Sequence, residues 1–484
     1  MLWWADEEIK QAERSRTSAH KGYPVPKRKM DYKEFLANKR FVLESSGFDI
    51  DRAELNPMLY DFQKDIVRWA LKKGKACIFA DCGLGKTPMQ LSWAYQVHKH
   101  TKGKILILAP LAVAEQTRRE AEKFGYDAKV AEEQSDCIEG INITNYEKLD
   151  RFTASEFTGV VLDESSILKS YSGKVRTSII QNFHDVPYKL ACTATPAPND
   201  YMELGNHSEF CGVMTRAEML SMFFVHDGGQ TSKWRLKGHA EDVFWQWLAT
   251  FSVFIDNPAN IGYSVSGYHL PPLKIYEIIV DGDEPEKGTL TLTERRKARK
   301  DSLVLRCDKA AALTNNSNEQ WLVWCDLNDE SEKLHEVIRD SAEVKGSDKP
   351  EYKSGTMIGF SEGRIRCLVT KPSIAGFGMN WQNCHNMIFT GLSDSYEQFY
   401  QAVRRCYRFG QKKPVNVYII ISAKEGCVKE NIERKQADFI KMQHEMTDLT
   451  KEITKKELKS TCRISTPYDP EIRMELPEWE EFEK

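Results

Sequence analysis

Apolar residues fall into two separate series of short, nearly unbroken runs, each alternating with stretches of helical periodicity. The first series is Ala76–Ala80, Ile105–Ala109, Ile141–Thr144, Gly159–Asp163 and Lys189–Thr195. The second is Trp321–Cys325, Ala342–Val344, Ile365–Thr370, Met387–Thr390 and Val415–Ile421. Apolar runs without polar alternation predict strands buried on both faces, and helices between them predict parallel sheets. The expected fold class is therefore α/β, with two parallel-sheet lobes in tandem. Ahead of the first run, Leu59, Phe62, Ile66, Trp69 and Ala70 share one face of a helix.

Between the two series the rhythm changes. Met219-Leu-Ser-Met-Phe-Phe224 and Phe244-Trp-Gln-Trp247 recur at helical spacing, which predicts a helical insertion packed on its own aromatics. Leu270-Pro-Pro-Leu273 then interrupts the chain, because proline continues neither a helix nor a central strand. The expected organisation is an N-terminal arm (1–50), a first lobe (51–200), the insertion (201–270), a second lobe (271–427) and a charged helical tail (428–484). In the tail, Phe439, Ile440 and Met446 are apolar positions able to pack back on a lobe.

Bulk properties narrow the class. A chain of 484 residues predicts about three domains and more than one core. The net charge of −3 does not advertise a nucleic-acid partner, although a basic groove can be offset by acidic surface elsewhere. Local contrast exists between the basic run Arg295 to Lys300 and the acidic end from Asp469. The twelve cysteines are scattered with no Cys-x-x-Cys pair, which argues against a zinc module and fits a reducing compartment. The acidic start Met1-Leu-Trp-Trp-Ala-Asp-Glu-Glu is unlike a secretion signal, and no apolar stretch approaches a membrane span. A cytoplasmic protein without a membrane partner is expected.

The chemistry concentrates where strands end. After Ala76–Ala80 comes Ala80-Asp-Cys-Gly-Leu-Gly-Lys-Thr87, where Gly83 and Gly85 let backbone N–H groups curl around an anion at a helix N-terminus. Lys86 is placed to reach the β- and γ-phosphates of ATP, and the Thr87 hydroxyl to sit on Mg²⁺. Val160-Val-Leu-Asp-Glu164 delivers Asp163 to hold that metal and Glu164 to polarise a water. In the second lobe, Gln401-Ala-Val-Arg-Arg-Cys-Tyr-Arg408 puts Gln401, Arg404/Arg405 and Arg408 on one face if the segment is helical. Arginines offered from an opposing lobe would stabilise charge on a γ-phosphate when the cleft shuts. Arg405 and Arg408 are the expected catalytic pair.

With these motifs the chain resembles a superfamily-two DEAD/DEAH-type helicase-ATPase, nearest the Swi/Snf-like branch of duplex translocases, and is similar to versions in bacteriophage genomes. The resemblance runs from about residue 59 to 415 and implies two tandem RecA-like lobes. It implies an adenine-reading role for Gln63 in Tyr60-Asp-Phe-Gln63. It implies nucleic-acid contacts for Pro110 (Ala109 to Gln116) and for Thr144 and Tyr146 (Thr144-Asn-Tyr-Glu147). Thr193 and Thr195 in Thr193-Ala-Thr-Pro196 would couple hydrolysis to strand grip. Trp324 to Asp329 would form the fourth motif, and Thr370 to Asn380, with Thr370 and Gly378, the fifth. One departure stands out: Asp163-Glu-Ser-Ser166 carries serine where the Swi/Snf-like branch has histidine. A match to the basic position before the fifth motif, at Lys353, is loose.

Two functional classes stay open. One is a nucleic-acid-stimulated ATPase that moves along or remodels DNA, with ATP and Mg²⁺ as ligands and duplex DNA as the preferred track. The other is an ATP-gated clamp or adaptor that does not translocate. An RNA track and recruiting protein partners are compatible with either.

Overall fold

The computed structural model describes residues 45–460, apart from 111–112, 170–172, 199, 227–233, 264–269, 283–291, 376–378 and 394. Most of the expected arm, the acidic end and Gly378 lie outside the described residues.

The first lobe is built on β1 (Lys75–Ala80), β2 (Lys104–Ala109), β3 (Ala128–Val130), β4 (Ile141–Asn145), β5 (Phe157–Asp163) and β6 (Tyr188–Thr193). A short antiparallel pair follows, β7 (Phe224–His226) and β8 (Trp234–Leu236), and then β9 (Ser252–Ile255). The main sheet has seven strands in the order β3-β4-β2-β5-β6-β1-β9, every pairing parallel. Residues such as Cys77, Ile107, Val161 and Leu190 are fully buried, as a sheet covered on both faces requires.

The second lobe repeats the plan with β10 (Leu273–Ile279), β11 (Trp321–Trp324), β12 (Ser341–Val344), β13 (Cys367–Thr370), β14 (Asn386–Thr390) and β15 (Val415–Ile421). Its order is β10-β15-β14-β11-β13-β12, again all parallel. Every expected run forms a strand. The strands that the pattern did not signal are β3, β7, β8, β9 and β10. β10 is an edge strand interrupted by Lys274 and Glu277 and exposed along its middle, so it lacks a continuous apolar run.

Segment 201–270 contains the expected helices, α3 (Leu204–Cys211), α4 (Arg216–Phe223) and α5 (Glu241–Ala249), after the lobe's own α1 (Asp61–Lys73) and α2 (Lys86–Thr101). It is not a separate body. Phe223, Phe244, Trp245 and Trp247 share one buried cluster with Cys77, Leu106, Val160 and Leu162 of the sheet. Its strand β9 pairs directly with β1, Ala80 opposite Ile255. The aromatics pack across one face of the first sheet, and the chain then closes the sheet's edge.

After α6 (Tyr396–Val403) and β15, a single helix α7 (Gly426–Ser460) leaves the second lobe and returns along the first. Met442 and Met446 enter the first-lobe cluster, and Leu458 joins the cluster on the opposite face. Tyr201 donates to Glu445, and Lys73 pairs with Glu457 at 2.9 Å. Ile440 faces solvent, which corrects its expected packing role, while the Phe439 side chain lies outside the description. Among the described residues no helix is long and apolar enough to cross a membrane.

Candidate functional site

Strands β5, β6 and β1 lie side by side, and their C-terminal ends bring three loops together. β1 ends at Ala80, where the chain is still paired, so the absence of a first glycine carries no backbone cost. Two residues in the following turn do need glycine. Gly83 has φ 89° and Gly85 has φ 78°. A Cβ on Gly85 would also lie 2.2 Å from Gln63 Nε2.

Gln63 explains that close approach. Its Nε2 donates to Leu84 O at 2.9 Å, and its Oε1 accepts from Tyr60 N at 2.9 Å. The side chain expected to read a base thus also fastens the glycine loop to the start of α1. Lys86, the first residue of α2, donates to Ala80 O at 2.9 Å. Thr87 follows it in the first turn, half-buried.

Asp163 ends β5 and Glu164 follows with φ 54°, a left-handed backbone that non-glycine residues adopt at a cost. Both carboxylates are buried. Burial, and then the charge of Glu164, push Asp163 up to about 6. Gln90 Nε2 donates to Asp163 Oδ1 at 2.8 Å, and Tyr146 Oη donates to the Asp163 carbonyl at 2.7 Å. Sequence reading missed Gln90. The signal was available, since it stands four residues after Lys86 and so faces the same side of α2. Thr193 Oγ1 reaches Glu164 Oε2 at 3.4 Å.

The serines after the acid pair have an unexpected neighbour. Ser165 Oγ lies 3.1 Å from His207 Nε2, on α3. Burial pushes His207 down to about 4, so the imidazole is neutral. A histidine is therefore present beneath this motif, but it comes from another element.

The remaining expected contacts divide. Thr144 Oγ1 is buried with no hydrogen-bond partner among the described residues, and Pro110 is half-buried at the end of β2. Thr370 Oγ1 instead donates to Val344 O at 3.0 Å, a bond between neighbouring strands. In the basic run 295–300, Arg299 is committed to Glu425 at 3.0 Å and to Asp326, leaving Lys297 and Lys300 exposed. Lys353 donates to Gly346 O. Trp245 and Trp247 are buried, and Trp234 packs against His226 with ring centroids 3.6 Å apart.

The second lobe meets the glycine loop directly. A Cβ on Gly83 would lie 3.0 Å from Phe409 N and 3.6 Å from Arg408 Cβ. Helix α6 stops at Val403, so the four cationic and amide side chains do not share one helix face as expected. The next turn tightens to three-residue hydrogen bonds, Arg405 N to Ala402 O and Cys406 N to Val403 O. That spacing brings Arg405 and Arg408 to one acceptor, each donating from Nη1 to Met379 O at 3.3 Å. Packing around Arg408 and the charge of Arg405 push it down to about 10, still charged at neutral pH. Gln401 Nε2 reaches Thr195 Oγ1 at 3.4 Å. Arg404 turns away from this pair, to Asp81. Among the described residues no group of three or more His, Cys, Asp or Glu side chains could hold a metal alone.

Two family models match successive parts of the chain. Residues 56–198 match the family model described as type III restriction enzyme, res subunit, and residues 304–410 match the helicase conserved C-terminal domain. The chain is 30% identical over 131 residues to TATA-binding protein-associated factor mot1 of Schizosaccharomyces pombe, covering 25% of this chain and 7% of that protein. It is 35% identical over 109 residues to the bifunctional helicase and thymine dioxygenase JBP2 of Leishmania infantum, covering 22% of this chain and 10% of that protein. It thus spans only a small part of the length of these relatives. The Sulfolobus solfataricus SWI2/SNF2 ATPase core in complex with dsDNA is similar at 17% identity and a TM-score of 0.40, covering 83% of this chain and 98% of that one. The chain thus carries, in order, a segment matching the res subunit model, which holds the Gly83–Lys86 loop and the acid pair, and a segment matching the helicase conserved C-terminal domain, which holds Arg404, Arg405 and Arg408.

Proposed function

We propose that this protein is a nucleic-acid-stimulated ATPase that converts hydrolysis into translocation on double-stranded DNA. The observation that carries the reading is the meeting of Arg408 and Phe409 with Gly83, which sets the arginine turn of one lobe against the phosphate loop of the other.

The residues present suit a triphosphate with a divalent cation. The two left-handed glycines let the backbone curl as an anion cradle requires, and a buried acid pair with Asp163 raised to about 6 is a setting that a bound cation relieves. Thr87 and Asp163 would hold magnesium, whose contribution is to neutralise charge on the terminal phosphates. Lys86 exchanges its Ala80 carbonyl for phosphate oxygens. Glu164 orients the attacking water and takes its proton. Arg405 and Arg408 exchange the Met379 carbonyl for charge developing at the γ-phosphate when the lobes close. Thr193 and Thr195 link the acid pair to α6, so the chemistry is felt in the second lobe.

The track is proposed to be gripped through phosphates rather than bases. Pro110, Thr144 and Tyr146 would contribute to that grip. Hydroxyls, backbone amides and cations suit phosphate oxygens, which carry no sequence information. The tryptophans Trp245 and Trp247 belong to the core, so they cannot act as a wedge at a fork. Stepping along one strand of an intact duplex is the movement we propose.

ATP turnover measured with and without DNA, beside triplex-displacement and forked-duplex assays, tests the proposal. DNA-stimulated turnover with triplex displacement and weak fork opening is expected. Turnover unaffected by DNA would leave an ATP-gated clamp. Efficient fork opening without triplex displacement would make the protein a strand-separating helicase, and stimulation by RNA alone would change the track.

A further inference from the structure

Helix α6 presents Glu397, Tyr400, Gln401 and, just past its end, Arg404 toward the first lobe, at spacings that share one helical face. Glu397 is buried. Its Oε1 accepts from Thr195 Oγ1 at 3.2 Å, and its Oε2 pairs with Lys169. At the other end, Arg404 Nη2 and Tyr400 Oη both bond the carboxylate of Asp81, within the phosphate loop.

Asp81 is itself fixed. Its N donates to Ile255 O at 2.9 Å, and its Oδ1 accepts from Cys82 N at 2.6 Å. Arg404 is equally constrained. Nε donates to Tyr400 Oη at 3.2 Å and Nη1 to Tyr407 O at 3.4 Å, with the guanidinium 5.3 Å from the Tyr400 ring centroid. The Asp81 and Arg404 side chains are 8% and 15% exposed, yet the residues are 323 positions apart in sequence. A buried ion pair is costly to form unless its remaining hydrogen-bond capacity is met, and here it is met from both sides.

We propose that Asp81, Tyr400 and Arg404, with Glu397 as the second anchor, form an inter-lobe clasp that sets the approach of Arg405 and Arg408 to the phosphate loop. The inference rests on the ATPase reading above. Arg404 adjoins Arg405 in the chain, and Asp81 precedes Gly83 and Lys86 in the loop. Docking the pair therefore fixes both halves of the reaction site relative to each other. These are positioning residues. Asp81 belongs to the loop, where its carbonyl lies 3.5 Å from Lys86 Nζ, but the clasp is made by its side chain, so substitutions that keep the backbone are expected to spare ATP binding to the first lobe and impair turnover.

The test is steady-state kinetics of the DNA-stimulated ATPase for Asp81→Asn, Tyr400→Phe, Arg404→Ala, Arg404→Lys and the double variant Asp81→Asn/Arg404→Ala, with Lys86→Ala as the reference. The single changes at Asp81 and Arg404 to Ala are expected to lower kcat roughly ten- to hundred-fold with KM within about three-fold. The double variant should be no worse than the poorer single variant, and Arg404→Lys should recover part of the rate. Tyr400→Phe removes one oxygen and guards against a folding defect in the others. Additive losses, or a rise in KM with kcat intact, would overturn the clasp. Full turnover by Lys86→Ala would overturn the ATPase reading instead. If Lys86→Ala is inactive while every clasp variant works normally, only the clasp fails.

Discussion

Each lobe buries charge beside its sheet, but the two solve the problem in opposite ways. In the second lobe, Arg306 is fully buried and its guanidinium is committed: Nε donates to Ser302 Oγ at 3.0 Å, Nη1 to Glu330 and Thr390 O, and Nη2 to Arg299 O. Glu330 also accepts from Asp326 N at 2.9 Å. In the first lobe, Asp163 and Glu164 are buried side by side with like charge, and the donors they meet are an amide from Gln90 and a hydroxyl from Thr193. A satisfied network supports architecture. A like-charged buried pair hydrogen-bonded to neutral side chains, with the Lys86 charge nearby, keeps unspent capacity for a cation.

That contrast can be broken most sharply at Glu164. Glu164→Gln keeps the shape and is expected to lower turnover by about 10³–10⁴ while ATP still binds. Turnover and nucleotide binding measured on the same sample decide it, and normal turnover would remove Glu164 from the chemistry. The opposite outcome is expected in the second lobe. Arg306→Ala should destabilise by about 3–5 kcal/mol, because Glu330 is left buried without its partner. Denaturant unfolding reads this, and a stable variant would show that the network is dispensable.

Arg408 tests the boundary between the two kinds of charge. Arg408→Ala is expected to cost about 10² in kcat with little loss of ATP affinity, as for a contact made in the transition state. A rise in KM alone would place it outside the reacting shell. Asp163→Asn should then separate stability from activity. The folded carboxyl titrates near 6 against an ordinary value of 3.8, so the native state binds the proton more tightly than the unfolded chain does. Wild-type stability from this group therefore falls as pH rises from about 3.8 to 6 and is level above. Replacing the charge should stabilise by about 1–3 kcal/mol at pH 7, a gain that disappears by about pH 4 while activity stays lost. Melting curves without nucleotide at both pH values check the sign. The smallest effect belongs to the exposed basic helix: Lys297→Glu with Lys300→Glu should weaken DNA binding by about ten-fold, uniformly across sequences, and flatten its salt dependence.

Much of this was legible before the fold was known. Lys86, Asp163 and Glu164 stand where strands end, and a buried strand is a local pattern that a short window of residues reveals. Arg405 and Arg408 were expected on one helix face; the helix ends at Val403, and the two meet instead at the Met379 carbonyl. Arg404 was offered with Arg405 as a position on one helix face, and its bond to Asp81 was not foreseen. Gln63 was read as facing a base, while its bond to Leu84 O was not foreseen. β9 was hidden among the aromatics of a helical stretch and became visible only as the partner of β1.

The sequence by itself determined most of the elements and the local chemistry: which apolar runs are strands, where glycine must bend the chain, and which strand ends lead into the lysine and the acids. These follow from interactions among residues within a few positions of each other, where periodicity and backbone sterics suffice. Only the tertiary structure decided that β9 joins the first sheet and the aromatics before it pack on that sheet, that α7 returns to the first lobe, and that Arg404 answers Asp81 rather than joining its neighbours. Apolar burial has no direction of its own, and an ion pair has no meaning until its partner arrives. Both choices are made by groups far apart in the chain and next to each other only in the fold.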